Sequence, residues 1–258
     1  MSDFLDVLAH DAKETVESGY YQHVTPTKHP QVSLRKAIHE CPANPVITEI
    51  KAASPSLGTI RSSINPTEIA MAMEKGGAVG ISVLTEPKHF NGSLQALMEA
   101  RVAVNLPILM KDIIISSQQI EVASQMGANV VLLIEALFNR NYGEKGIDEM
   151  ITFAHSKGLE VLLETHTEVE FRSAIETDAD LVGINNRNLG TLKIDLNTTK
   201  EILERNSAHG KVVVSESGIK TPADLRFLRQ CGAKTFLIGS SIMLTENIEE
   251  KVKEFVEA

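Results

Sequence analysis

The chain contains no tryptophan, and aromatic residues make up only 4% of its 258 positions. Any ring stacking contributed by the N-terminal part of the chain must therefore come from Tyr20, Tyr21 or a phenylalanine. There are two cysteines, Cys41 and Cys231, far apart in the chain. Their separation matches neither a zinc nor a redox spacing, and both read as inert thiols of a reducing compartment. No His/Cys/Asp constellation has the spacing of a metal site, so no metal is expected. Histidines such as His89, His155 and His166 stand alone and read as surface or packing residues. No apolar run reaches membrane length and no signal or transit peptide is apparent, which makes the cytoplasm the expected location. Positive charge is in deficit: 25 Lys and Arg face 34 Asp and Glu, a formal net charge of -9. That balance argues against non-specific nucleic-acid binding, and an anionic ligand would need a local basic cluster.

What the chain does have is alternation. Apolar, strand-like runs lie at 46–51, 79–85, 107–111, 129–134, 159–165, 180–185, 211–216 and 235–239. Helical patterns lie between and after them, near 66–75, 93–103, 117–126, 146–157, 167–177, 197–206, 221–231 and 246–257. Asn65-Pro66, Ser116 and Thr221-Pro222 are helix starts, each with a capping residue or a proline in the first turn. Glycines close several of these helices. Eight such repeats with mostly apolar strands fit a closed parallel (β/α)8 barrel, the TIM-barrel class of α/β folds. An open doubly wound sheet is the competing arrangement, but it would show a glycine-rich dinucleotide turn after an early strand, and none is present. The length suits one barrel domain spanning 1–258, of which 1–44 is an N-terminal helical extension. In that extension Phe4, Leu5, Leu8, Ala12 and Val16 mark one helix face, and Ser33 caps a short helix over Leu34–Glu40. The extension reads as a layer added over one end of the domain.

A barrel of this kind places its active site at the C-terminal ends of the strands. Polar residues should therefore interrupt the apolar runs there, on inward-facing positions. Glu49 and Lys51 are two residues apart, so they share one strand face. On their own they would suit a structural ion pair. Lys111, Glu164, Asn185 with Arg187, and Glu216 close other strands in the same way. So many buried charges would be costly in a purely structural site, and the set points to catalysis or binding. Ser217-Gly218 ends the seventh strand and Gly239-Ser240 the eighth, each leading toward a helix, where barrels often bind phosphate. Lys51, Lys111 and Arg187 are more cations than a phosphate needs, so a second anion such as a carboxylate is expected. The anticipated partner is a small anionic molecule, with no nucleic acid and no membrane involved.

With these residues in view, the chain resembles the indole-3-glycerol phosphate synthases over nearly its whole length. The resemblance rests on Glu49-Ile50-Lys51 with Ser54-Pro55-Ser56-Leu57-Gly58, and on Leu84-Thr85-Glu86 with Phe90-Asn91-Gly92-Ser93. It rests also on Pro107 to Asp112, on Gly183-Ile184-Asn185 with Arg187 and Leu189, and on Glu216-Ser217-Gly218-Ile219. It implies ring closure, decarboxylation and dehydration of 1-(2-carboxyphenylamino)-1-deoxyribulose 5-phosphate, without a cofactor. By resemblance Lys111 is the general acid of ring closure, and Glu164 and Lys51 serve the dehydration. Glu49 and Glu216 orient the lysines and bind hydroxyls, and Asn185 hydrogen-bonds the reacting face. Ser217, Gly218, Gly239 and Ser240 would hold the phosphate. Ser54, Lys51, Asn185 and Arg187 would hold the carboxylate. Phe90 and Leu132 would wall the aromatic ring, although ordinary core packing also accounts for them. A monomer or weak homo-oligomer is expected.

Some positions depart from the family pattern. Ala52 and Leu57 stand where basic residues are common, which weakens anion attraction at the first loop. Glu135 follows the fourth strand where a small apolar residue is common; by alternation it faces outward and takes no role. Two other readings stay open on sequence: a Schiff-base aldolase with Lys111 as nucleophile, and a barrel that only binds a phosphate ligand or a protein partner.

Overall fold

The computed structural model describes residues 3–22, 24–26, 29–54, 58–61 and 64–258. Eight parallel strands close into a barrel: β1 Val46–Ile50, β2 Gly80–Leu84, β3 Ile108–Lys111, β4 Val130–Ile134, β5 Glu160–Thr165, β6 Leu181–Asn185, β7 Val212–Glu216 and β8 Thr235–Ile238. Neighbours in sequence are neighbours in the sheet, and β8 pairs with β1 to close it, Thr48 opposite Ile238. The helices between the strands fall where the sequence pattern puts them, from Pro66–Lys75 to Ile248–Val256. Their starts are chemically marked. Asn65 accepts from the Glu68 amide ahead of Pro66, while Ser116 and Thr221 form reciprocal capping boxes with Gln119 and Asp224.

Two apolar layers follow from the strand period of two. Outward-facing Ile81, Val83, Met110, Val131 and Leu163 pack against the surrounding helices. Inward-facing Ile47, Leu109, Leu132, Leu162, Leu181, Val214 and Leu237 fill the barrel interior. The interior is thus a packed core beneath the strand ends, as expected for this class.

The N-terminal extension covers both ends of the barrel, where a layer over one end was expected. Helix α1, Phe4–Glu17, lies over the C-terminal mouth, tied to the loops that follow β2 and β4. Arg140 donates to Asp3 and Asp6, and Lys88 and His89 bond Asp11. Helix α2, Leu34–Glu40, closes the opposite end. The Leu34 and Arg35 amides and the Ser33 hydroxyl donate to Glu160, the first residue of β5, and Leu34 joins the interior core. Two helices over two ends follow from the proline-bearing connector, which the periodicity alone did not route.

Three small elements went unread in the sequence. Helix Glu135–Asn139 follows β4 directly, helix Ser240–Met243 follows β8, and Ala53–Ser54 pairs antiparallel with Gly58–Thr59. Each is too short to show a period. Pro55, Ser56 and Leu57, part of the first-loop motif, lie outside the described residues. Among the described residues no helix is long and apolar enough to cross a membrane.

Candidate active site

Each inward-facing series changes character as its strand rises. Ile47 is followed by Glu49 and Lys51, Leu109 by Lys111, Leu162 by Glu164, Leu181 by Gly183 and Asn185, and Val214 by Glu216. The apolar members form the core, and the polar members gather above it around a pocket. Its lining includes Glu49, Lys51, Ser54, Phe90, Lys111, Leu132, Glu164, Asn185, Arg187 and Ser217. The sequence-based candidates Glu216, Gly218, Gly239 and Ser240 are not part of that lining; they lie at the ends of β7 and β8, with Glu216 fully buried. Phe4 and Leu8 of α1 complete the apolar side with Ile134 and Leu189. Of the extension's aromatic groups it is therefore Phe4 that reaches the pocket. Tyr20 and Tyr21 act elsewhere: Tyr20 donates to the Thr85 carbonyl at 3.1 Å, and Tyr21 donates to Asp112 at 2.9 Å.

Lys111 is the hub. Its Nζ lies 2.8 Å from Glu216 Oε2, 3.5 Å from Glu49 Oε2 and 3.8 Å from Glu164 Oε2. Lys51 Nζ sits 2.6 Å from Glu49 Oε1. Burial works against the Lys111 ammonium, but Glu216, Glu49 and Glu164 together outweigh it and hold the amine well above its ordinary value. The three carboxylates are pulled apart. For Glu49 and Glu164 burial favours the neutral acid. Lys51 and Lys111 overcome it at Glu49, and His166 with Lys111 overcomes it at Glu164, so both stay ionised. At Glu216 burial wins over Lys111, aided by the negative charges of Glu164 and Glu49, and the carboxyl is pushed up. Among the described residues the buried Glu216 Oε1 and Glu49 Oε2 have no hydrogen-bond partner, which leaves each an acceptor without a donor.

Asn185 is held between its neighbours. Its Nδ2 donates to Glu164 Oε1 at 3.0 Å, and its Oδ1 accepts from the Arg187 amide at 2.9 Å. Arg187, half-buried, donates to the Leu192 carbonyl at 3.4 Å. Glycine makes room for two of the carboxylates. A Cβ on Gly239 would lie 2.6 Å from Glu49 Oε1, and one on Gly183 would collide with Glu216 Oε1. Gly239 therefore serves Glu49 directly, a duty that its expected phosphate role did not include. Ser217 and Gly218 follow β7 with φ of 66° and 84°. That left-handed path is strained for serine and natural for glycine, and it turns the chain sharply beside the pocket.

Two residues read as bystanders are engaged. His166 was expected at the surface or in packing, but its Nε2 lies 3.2 Å from Glu164 Oε1 and its Nδ1 3.5 Å from Glu170. His166 is in phase with Glu164, a signal the sequence carried, but it stands one residue past the end of β5 and its second carboxylate comes from the next helix, which strand phase does not reach. Asp112, adjacent to Lys111, was not singled out. It is buried, accepts from Tyr21 and from the Thr85 hydroxyl, and burial pushes it up to about 6. Glu135 stays out of the pocket, as alternation requires, yet it is buried at the start of its short helix, where burial raises its pKa. Among the described residues no group of His, Cys, Asp or Glu side chains is placed to hold a metal ion.

A closed (β/α)8 barrel with acids and bases assembled at its strand ends defines an enzyme that transfers protons within a small, enclosed ligand. Comparison with known proteins narrows the class. The family profile described as indole-3-glycerol phosphate synthase matches residues 6–255. A protein of that name from Methanocaldococcus jannaschii is 47% identical over 231 residues, 88% of this chain and 84% of its own. One from Aquifex aeolicus is 41% identical over 224 residues, 86% of this chain and 85% of its own. Among solved structures, an N-acetylmannosamine-6-phosphate 2-epimerase from Clostridium perfringens shares the fold at a TM-score of 0.61 and 15% identity, covering 83% of this chain and 93% of its own. A thiamine phosphate pyrophosphorylase from Pyrococcus furiosus does so at 0.61 and 16%, covering 86% and 96%. The chain belongs to the indole-3-glycerol phosphate synthase family.

Proposed function

We propose that the protein closes the indole ring of 1-(2-carboxyphenylamino)-1-deoxyribulose 5-phosphate, releasing carbon dioxide and water and leaving indole-3-glycerol phosphate. The observation that carries the assignment of roles is Lys111, an ammonium held by three carboxylates at the floor of the mouth. Ring closure requires a proton on the ribulose carbonyl oxygen as the ring carbon bearing the carboxylate attacks it. Lys111 is the general acid for that step. Loss of carbon dioxide restores the aromatic ring, and loss of the new hydroxyl as water then needs an acid and a base. Lys51 and Glu164 supply these. Asn185 orients Glu164 and contacts the reacting face, while the unpartnered oxygens of Glu49 and Glu216 receive substrate hydroxyls.

The substrate's two anions suit the two sides of the mouth. The phosphate goes to the amides of the Ser217-Gly218 turn and of Gly239-Ser240, where a short helix begins and the backbone presents unpaired N–H groups. The carboxylate goes toward Ser54, Lys51, Asn185 and Arg187, and the ring lies against Phe90, Leu132 and the extension's Phe4. Residues 1–258 act as one unit in this reading, in the cytoplasm and as a monomer or weak homo-oligomer. An amine so strongly held as an ammonium is a poor nucleophile, which disfavours the Schiff-base alternative. Purified protein mixed with the substrate should develop indole fluorescence without added metal, and should leave no adduct after borohydride. Absence of the fluorescence, or a trapped covalent adduct, would refute the assignment.

A further inference from the structure

The proposed reaction does not balance within the site. Ring closure places one proton on the carbonyl oxygen, and dehydration places a second on the departing hydroxyl. One is recovered from the C–H bond broken as the double bond forms. The ionised carboxylate leaves as carbon dioxide and returns none. One proton must therefore enter from solvent in each turnover; the Lys51 and Lys111 side chains, 15% and 16% exposed in the empty mouth, lose that contact once a substrate fills it beneath α1.

His166 stands between that interior and an outer cleft. His166 faces Glu164 Oε1 at 3.2 Å on its inner side, an ion pair without the alignment of a finished hydrogen bond. Glu164 Oε2 faces Lys111 at 3.8 Å. On its outer side His166 meets Glu170, whose Oε2 also accepts from the His166 amide at 2.7 Å, and it lines a second cleft between the ends of β5 and β6. The charged groups of that cleft are Glu168, Asp195, Glu201 and Arg205. The His166 side chain is only 9% exposed, with Nε2 buried; it lines the outer cleft and is not part of the main pocket's lining.

We propose that His166 is the proton inlet of the site, a positioning residue that acts through Glu164 by holding it and feeding it protons from the outer cleft. The inference rests on the reading of Lys111 as the general acid. After Lys111 has given up its proton, an N–H bond of His166 breaks as an O–H bond forms on Glu164. That O–H bond then breaks as an N–H bond re-forms on Lys111, and a buffer acid or hydronium ion in the cleft reprotonates His166. The sum is one proton moved from solvent to Lys111, with no change at His166 or Glu164. The direction is downhill. Burial lowers the imidazolium, but Glu164 and Glu170 override it and bring it to about 9, still below the ordinary lysine that Lys111 exceeds.

The test is steady-state kinetics of His166→Gln in dilute buffer, with and without imidazole. The expected result is a fall in kcat of about tenfold or more with KM unchanged, the lower end of an acid–base contribution. Imidazole should restore the rate in a saturable way and leave the wild type unaffected. The wild-type rate should fall as pH rises through about 9, and that limb should disappear in the variant. Glu170→Gln, which keeps the imidazole in place, should move the limb to lower pH and checks the idea if His166→Gln does not fold. An unchanged kcat in His166→Gln, or a loss that imidazole does not restore, overturns the inlet. Lys111→Ala run alongside separates the two readings. If it retains turnover, the general-acid assignment fails and the inlet with it; if it does not, the fate of His166→Gln judges the inlet alone.

Discussion

Lys111 neutralises part of a cluster in which three carboxylates face two ammonium groups, so its removal changes both chemistry and charge. Lys111→Ala should lower kcat by a factor of about 10² to 10⁴ while KM stays near the wild-type value. A raised KM with kcat preserved would make Lys111 a binding group only. Gly239 carries a different expectation. Inorganic phosphate should compete with substrate, and Gly239→Val should weaken phosphate binding by about tenfold or more, because a side chain blocks close approach to the amides. Calorimetry with phosphate is the measurement, and equal affinity in both proteins would move the anion to Lys51 and Arg187. The same variant should also lower kcat, since its Cβ meets Glu49. That second effect was not legible in the chain. Strand phase is local and revealed Glu49, Lys51, Lys111, Glu164, Asn185 and Glu216. Which glycine makes room for which carboxylate depends on β8 lying beside β1, a closure that no local pattern records.

Helix α1 is fastened chiefly by side chains. Arg140 donates to both oxygens of Asp3 at 2.8 Å and to Asp6 at 2.6 Å, Tyr142 adds a bond to Asp6, and Lys88 and His89 hold Asp11. Arg140→Ala should speed amide exchange across Phe4–Glu17 and leave the barrel strands protected. KM should rise more than kcat falls, because Phe4 and Leu8 leave the ligand wall. Exchange measured by mass spectrometry decides it; unchanged protection would mean that the apolar face alone holds the helix. The clamp also has an acid limit. The hydrogen bonds that the Asp6 carboxylate accepts from the Asp3 amide, Arg140 and Tyr142 hold Asp6 down at about 2, and Arg140 likewise lowers Asp3. Its contribution is whole above the ordinary carboxylate value and fades as pH falls toward 2. The bounds of α1 were readable because apolar residues recur every three or four positions. Its destination was not, since the partners Lys88, His89 and Arg140 sit in loops that carry no period.

Groups pulled in opposite directions set the stability of the barrel against pH. Asp3, Asp6, Glu49 and Glu164 are lowered, so their support is lost as pH falls below about 4. Asp112, Glu216 and His166 are raised, to about 6, 7 and 9, so the folded state holds extra protons whose benefit is lost as pH rises through those values. The melting temperature should therefore peak near pH ~5, on the acid side of neutrality. The gap between wild type and His166→Gln should be widest below pH 6.5 and close as pH rises past about 9. Thermal melts across that range measure both; a maximum at neutral or alkaline pH would contradict the charge assignment. The anchor of α2 on Glu160 has a consequence of another kind, in the order of synthesis. Leu34 leaves the ribosome 126 residues ahead of the carboxylate that receives its amide. At ~5 to 20 residues per second the nascent segment waits roughly 6 to 25 seconds for its seat to exist. Throughout that interval the apolar face of α2 is uncovered, which makes the first part of the chain a natural client for chaperones and any product cut short before residue 160 prone to aggregate.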